Sequence, residues 1–284
     1  LYLFILIGIS CSAELKAQRN GTVYKGNDPA VRYTGRTLVS SDGSVAFDWV
    51  GTYLETRFTG GRLSVKVSET GTSYYNVFVD GKLHKVVKVC GTDTLIHLVS
   101  GIDKRIHSLK IQKRSEGEFG KTTIHQFVLS GSGRLAEEPA VRTRHIEFIG
   151  NSLTCGYGTD GKHRDEPFLV ETENCNLTFA SMVARYYDAD YTLIAHSGRG
   201  AARNYGDSVR VSKVTMKDRM LNTFDEDLTH KWNFKGYLPD LVVINLGSND
   251  FSTEPHPYKS EFTKAYKQIL ETDKAASSED NKNE

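Results

Sequence analysis

The chain has 284 residues, and its 36 Lys and Arg nearly balance 35 Asp and Glu, for a formal net charge of +1. That length suffices for one large or two ordinary domains. The charge balance gives no reason to propose nucleic acid or an anionic membrane as a partner.

The chain begins with an apolar run, Leu1 to Cys11, that is too short to span a bilayer. Residues 1–17 read as a signal or lipoprotein segment rather than as a buried first strand. Cleavage after Ala17 and lipid attachment at Cys11 are the two processing routes. Either route implies export, as a secreted, periplasmic or outer-surface protein with no membrane span. Beyond Cys11 there are three cysteines, Cys90, Cys155 and Cys175. Cys155 and Cys175 could pair in an oxidising compartment or remain two partly buried thiols. No Cys/His cluster has zinc-site spacing, so no metal is expected.

Residues 20–135 read as a β domain. Leu63, Val65 and Val67 alternate with Ser64, Lys66 and Ser68, the period of a half-buried strand. The runs 75–79 and 83–87 flank Asp80-Gly81, a strong hairpin signal. Further strands are expected over 94–99, 106–113 and 123–129. Turn residues recur about every ten positions, so the predicted fold is an all-β sandwich of jelly-roll type. His84, His97, His107 and His125 fall in separate strands and are taken as surface or hydrogen-bonded residues. Such a domain could bind carbohydrate or shield a cleft. The polar, breaker-containing segment Gly131 to Pro139 marks the domain boundary.

From residue 141 to 284 the pattern changes to strand, helix, strand, an α/β domain. The run 145–149 is a first strand. Phe179, Met182, Val183, Tyr186 and Tyr187 lie at the spacing of an amphipathic helix. The run 191–195 is a second strand and 241–246 a third. The third is apolar almost throughout, as suits a central parallel strand covered on both faces. A last helix is expected over 258–270, with Tyr258, Phe262, Tyr266 and Leu270 at four-residue spacing, followed by a polar, disordered tail from Asp273.

Each of the three strands ends in a loop of Gly and polar residues. In an open α/β sheet such loops converge on the ligand site. Ser152 follows the first strand and supplies a hydroxyl. Gly198 follows the second and offers a backbone N–H that a ligand can approach. Asn249 follows the third and offers a side-chain amide. Singly, these are a capping serine, a turn glycine and a turn asparagine. Together they are a nucleophile and the donors that a tetrahedral oxyanion requires.

The segments Gly150-Asn-Ser-Leu-Thr154, Ser197 to Asn204 and Gly247-Ser-Asn-Asp250 resemble the first three blocks of SGNH hydrolases. With Cys155 to Gly158, Glu171-Thr-Glu-Asn174 and Tyr205-Gly206 added, the chain is similar to carbohydrate esterase family 2. The resemblance covers most of the chain from about Gly35 to Tyr258. It implies a jelly roll joined to a flavodoxin-like, three-layer α/β/α hydrolase domain. It also implies removal of acetyl groups from plant polysaccharides such as xylan and glucomannan, without metal or organic cofactor. Carried over, Ser152 is the nucleophile, and the Ser152 N–H, the Gly198 N–H and the Asn249 side chain form the oxyanion hole.

The chain departs from the family at its end. The family's catalytic His, in an Asp-x-x-His block late in the domain, has no counterpart here. Asp160-Gly-Lys-His163 and Asp227-Leu-Thr-His230 have the local spacing but the wrong chain order, and His256 is too near Asn249. No catalytic His is assigned. The expectation is therefore an esterase domain incomplete at its C-terminus, with the strand at 241–246 left on a sheet edge. Two alternatives stay open. One is a catalytically impaired carbohydrate-binding protein on the esterase scaffold. The other is a different SGNH lipase or thioesterase, against which the basic Arg199 and Arg203 near the site favour a sugar. The expected partner is an acetylated polysaccharide or oligosaccharide.

Overall fold

The computed structural model describes residues 21–136, 140–235 and 237–278. The expected signal segment with Cys11, part of the domain boundary and the polar tail beyond residue 278 lie outside them.

The front of the chain forms one antiparallel sheet of seven strands: β1 (Thr22–Lys25), β2 (Val31–Thr34), β3 (Leu38–Val39), β4 (Val45–Phe47), β5 (Tyr53–Val79), β6 (Lys82–Lys113) and β7 (Thr122–Ser130). The strand order is β2-β5-β7-β4-β3, with β1 on β7 and β6 on β5. The alternation over residues 63–67 behaves as predicted, with Leu63, Val65 and Val67 all buried. The Asp80-Gly81 turn is also as expected. Both residues have positive φ, +49° and +75°, and Val79 pairs with Lys82 across it. The short strands expected on either side are not separate, however. They run together into β5 and β6, 27 and 32 residues long. The ladder passes through the glycine turns by register shifts, such as those at Thr59/Gly61 and Val67/Glu69, rather than ending there. Three of the four histidines are satisfied: His107 by Asp80 and Asp103, His125 by Ser44 and Ser68, and His97 by Ser64.

The back of the chain is α/β. Its parallel sheet has β8 (His145–Gly150) at the centre, β9 (Asp190–Ala195) on one side and β10 (Leu241–Ile244) on the other. The helices are α1 (Ser152–Cys155), α2 (Phe179–Tyr186), α3 (Met216–Arg219) and α4 (Lys259–Ser278). Two expectations change here, and one is met. Among the described residues β10 is an edge strand, as expected, with Leu241 52% exposed. In α2 the small residues Ala180, Ser181 and Ala184 face inward, because they let the helix approach the sheet closely. The large residues Met182, Tyr186 and Tyr187 are exposed instead. Helix α4 continues to Ser278, eight residues past Leu270, through a stretch with two alanines that favour helix. Its buried residues are Ala265 and Ile269, with Phe262 and Tyr266 beside them against the sheet. No described helix is long and apolar enough to cross a membrane.

The two domains share their packing. Trp49 of the front domain is fully buried in a cluster with Ile149, Ile194, Met216 and Ile269 of the back domain. Arg36, also fully buried, donates to the carbonyls of Met220 and Asn222. Asp190 at the start of β9 accepts from Arg32, Tyr53 and Arg142. The functional loops therefore rest on a seam, with the β domain as one wall.

Candidate active site

The first loop leaves β8 through Gly150 and Asn151. A side chain at Gly150 would place its Cβ 2.0 Å from the Thr154 hydroxyl, so only glycine lets the chain turn this tightly. Asn151 then caps α1, its side-chain oxygen accepting the Leu153 N–H at 3.2 Å. Ser152 is thus the first helical residue, half-buried at the mouth of the turn. The helix is only the four residues Ser152–Cys155.

The second loop leaves β9 at His196. Gly198 sits in the left-handed region with φ +74°, and the space a Cβ would occupy there is empty to 4 Å. Its carbonyl accepts the Tyr205 N–H at 2.8 Å. The third loop leaves β10 and carries Asn249 and Asp250, both buried.

Cross-loop hydrogen bonds bring the three together. Asn151 donates to the Ser248 hydroxyl at 2.9 Å, joining the first loop to the third. Asn249 Nδ2 donates to the Arg199 carbonyl at 2.7 Å, joining the third to the second. Asp250, fully buried, accepts the N–H groups of Ala201, Ala202 and Arg203 at 3.0, 2.7 and 2.9 Å. Among the described residues the amides of Ser152 and Gly198 donate to nothing, and the Ser152 hydroxyl has no hydrogen-bond partner. Asn249 uses one of its two amide hydrogens on Arg199 and keeps the other. The loop contacts thus consume other groups and leave these donors available.

Other expectations resolve differently. Arg203 is not a rim residue. It is fully buried, with its guanidinium on the Val209 carbonyl and the Thr253 hydroxyl. Arg199 is half-buried. His163 pairs with Asp165, His230 with Asp227 at 3.7 Å and His256 with Glu254 at 3.3 Å, all on the surface. No histidine hydrogen-bonds Ser152 among the described residues. Cys155 and Cys175 are both buried free thiols, and burial pushes both up in pKa. Of the family-type motif at 171–174, Asn174 bridges Asn76 of β5 and Asp160.

One constellation was not singled out from the sequence. His196, 2% exposed, places Nδ1 2.7 Å from Asp225 Oδ2. Burial would lower this imidazole, but Asp225 beside it prevails and holds it above its ordinary value. Asp48 of the β domain accepts the Asp225 N–H at 2.8 Å and the Glu226 N–H at 3.2 Å. Burial, reinforced by the Asp225 charge, pushes Asp48 up to about 7. The ligand atoms of His196, Asp225 and Glu226 come within 4.8 Å of one another. Arg219 already bridges the two carboxylates at 2.9 and 2.8 Å, so the group is satisfied as an ion-pair network without a cation. No sequence pattern links residues 196 and 225, and Asp48 reaches Asp225 and Glu226 from across the seam.

The family model for the carbohydrate esterase 2 N-terminal domain matches residues 33–139, and that for the GDSL-like lipase/acylhydrolase family matches residues 148–280. The chain is 34% identical over 244 residues to the cellulase/esterase CelE of Acetivibrio thermocellus, covering 86% of this chain and 29% of that protein. It is 33% identical over 226 residues to an acetylxylan esterase / glucomannan deacetylase of Cellvibrio japonicus, covering 77% of this chain and 61% of that protein. Against these curated relatives it spans 29% to 61% of their length. A family two carbohydrate esterase from Clostridium thermocellum, solved in complex with cellohexaose, superposes with a TM-score of 0.81 at 34% identity. That match covers 87% of this chain and 74% of the solved one. A family two carbohydrate esterase from Cellvibrio japonicus superposes with a TM-score of 0.82 at 25% identity, covering 90% and 76%.

Proposed function

The chain belongs to carbohydrate esterase family 2, and from that membership we propose a serine ester hydrolase removing O-acetyl groups from plant cell-wall polysaccharide of the xylan or glucomannan type. Its substrate is an acetylated polysaccharide or oligosaccharide. The observation that carries the reading is the arrangement of loops. Hydrogen bonds at Asn151, Asn249 and Asp250 hold three strand ends together and, among the described residues, leave the Ser152 and Gly198 amides without acceptors.

In this reading the Ser152 hydroxyl attacks the acetyl carbonyl carbon, and the carbonyl electron pair moves onto oxygen. The N–H groups of Ser152 and Gly198 and the Asn249 amide receive that oxyanion. Fixed donors of this kind favour the transition state because the charge is absent from the ground state. Collapse expels the sugar hydroxyl and leaves acetyl-Ser152, which water hydrolyses. The proton acceptor for Ser152 is unassigned. We further propose that the β domain, residues 20–135, is a jelly roll, supported by the long strands β5 and β6 and the repeated register shifts of their ladder. Export of the protein is likewise a proposal, resting on the apolar start of the sequence.

The test is acetate release from acetylated xylan and glucomannan, with 4-nitrophenyl acetate in parallel, by the wild-type chain and Ser152→Ala. The substitution should abolish turnover, and equal turnover by both would refute the reading. A second reading, a carbohydrate-binding protein on the same scaffold, is favoured by the lack of a histidine bonded to Ser152 among the described residues. It requires no acetate release from either form together with undiminished binding of cellohexaose by calorimetry.

A further inference from the structure

We infer that Glu116, carried by the β domain, is a positioning residue for the Gly198 oxyanion donor of the α/β domain. The inference rests on the proposed role of Gly198 and extends it across the domain seam.

Glu116 lies between β6 and β7, at the entry to a single 3-10 turn over Gly117–Phe119. It is fully buried. Its carboxylate takes two donors from one residue of the other domain. Oε2 accepts the Ser197 backbone N–H at 2.5 Å, and Oε1 accepts the Ser197 hydroxyl. Ser197 immediately precedes Gly198. On the far side, the Gly198 carbonyl is held by the Tyr205 N–H at 2.8 Å. The Gly198 amide is therefore anchored on both sides. A glycine at φ +74° has unusual backbone freedom, so an amide there needs external anchors to point one way.

Glu116 is itself held in place. Lys113, fully buried, donates from Nζ to the Glu116 carbonyl at 3.1 Å. The Glu116 N–H donates to Glu173 Oε2 at 3.0 Å. Glu173 and Cys155 crowd the same buried space, with ligand atoms within 4.8 Å of Glu116. Burial, then the neighbouring Glu116, pushes Glu173 up. Both Ser197 donors meet the one Glu116 carboxyl group. Cys155 closes the turn that begins at Ser152, so one buried group touches both the nucleophile's helix and the oxyanion loop. The β domain thus has a task that neither shielding a cleft nor holding sugar would require.

The experiment compares wild type, Glu116→Gln, Ser197→Ala and Ser152→Ala for 4-nitrophenyl acetate hydrolysis, with thermal unfolding of each. Glu116→Gln keeps the shape but turns an amide NH₂ toward one Ser197 donor. We expect its kcat to fall roughly 10- to 100-fold with KM changed less than about 2-fold, the split of a displaced transition-state donor. Ser197→Ala keeps the backbone bond and should lose less, about 3- to 10-fold in kcat on the same argument. Amide exchange across residues 196–204 should quicken in Glu116→Gln. A folded Glu116→Gln with wild-type kcat, while Ser152→Ala is inactive, overturns the inference and leaves the proposed function standing. Wild-type turnover by Ser152→Ala overturns the proposed function and the inference with it. Should Glu116→Gln fail to fold, Ser197→Ala decides: an unchanged kcat there overturns the inference.

Discussion

Asp250→Asn is the sharpest perturbation of the loop assembly, because it changes one charge and almost no volume. Asp250 is fully buried and is the acceptor for three consecutive amides. In the variant the remaining carbonyl oxygen can keep Ala202 and Arg203, whose amides share Oδ1 at 2.7 and 2.9 Å. The new NH₂ then faces the Ala201 N–H, which lies 3.0 Å from Oδ2. Leaving two buried donors opposed costs about 1–3 kcal/mol, and turning two charged bonds into neutral ones costs about 0.5–1 kcal/mol each. The total, about 2–5 kcal/mol, corresponds to a fall in melting temperature of roughly 4–20 °C at 2–4 °C per kcal/mol for a chain of this size. A rotated amide does worse, since it abandons two donors, the Ala202 and Arg203 amides, to rescue one. Thermal and urea unfolding, followed by tryptophan fluorescence, would measure the shift. Ester hydrolysis should fall with it, because Asn249 is adjacent and Ala201 lies three residues from Gly198. A melting temperature within about 1 °C of wild type would refute the accounting. A large stability loss with unchanged kcat would refute the link between this assembly and the site.

Gly198→Ala meets open space but must adopt φ +74°, so it should cost only about 1–2 kcal/mol of stability while lowering kcat/KM more than about 10-fold; steady-state kinetics at wild-type efficiency would remove Gly198 from the site. Burial opposes it, but hydrogen bonds from Arg32, Tyr53 and Arg142 hold the Asp190 carboxyl down at about 2, against an ordinary value of 3.8. A lowered carboxylate stabilises the fold above its unfolded pKa and loses that contribution as pH falls through its folded one. The stability advantage of wild type over Asp190→Asn should therefore be full above about pH 5 and vanish as pH falls from 3.8 to about 2, measured by urea midpoints; an advantage independent of pH would contradict it. Maleimide should modify exposed Cys90 in the native protein and reach Cys155 and Cys175 only on unfolding, as peptide mass spectrometry would show. A Cys155–Cys175 disulfide in the native protein would refute that.

What was legible in the sequence was local. Ser152, Gly198 and Asn249 each stand a few residues past an apolar run, so strand, turn and donor could be read from one short window. The Asp80-Gly81 hairpin is local in the same sense, its two positive φ values being written in an Asp and a Gly. What was not legible depended on partners. Periodicity reports which side chains share a face, not which face has a neighbour. Hence the large residues of α2 were grouped correctly, yet its small ones pack inward. Arg203 reads as a rim cation but is buried, because it finds a carbonyl acceptor at Val209 further along its own loop and a hydroxyl at Thr253 on another. The seam was the least visible part. Trp49 looks like a core residue of its own domain and fills the other's. Asp48, one position earlier, takes amides 177 and 178 residues away. This has a consequence for how the site is built. The proposed oxyanion loop needs its amides aimed before substrate arrives, and among the described residues β10 is at the sheet edge. Carboxylates from the β domain reach across the seam, Asp48 to the Asp225 and Glu226 amides and Glu116 to Ser197. A domain whose own sequence shows only strands and turns thus contributes to the proposed oxyanion loop, through side chains whose targets no single window contains.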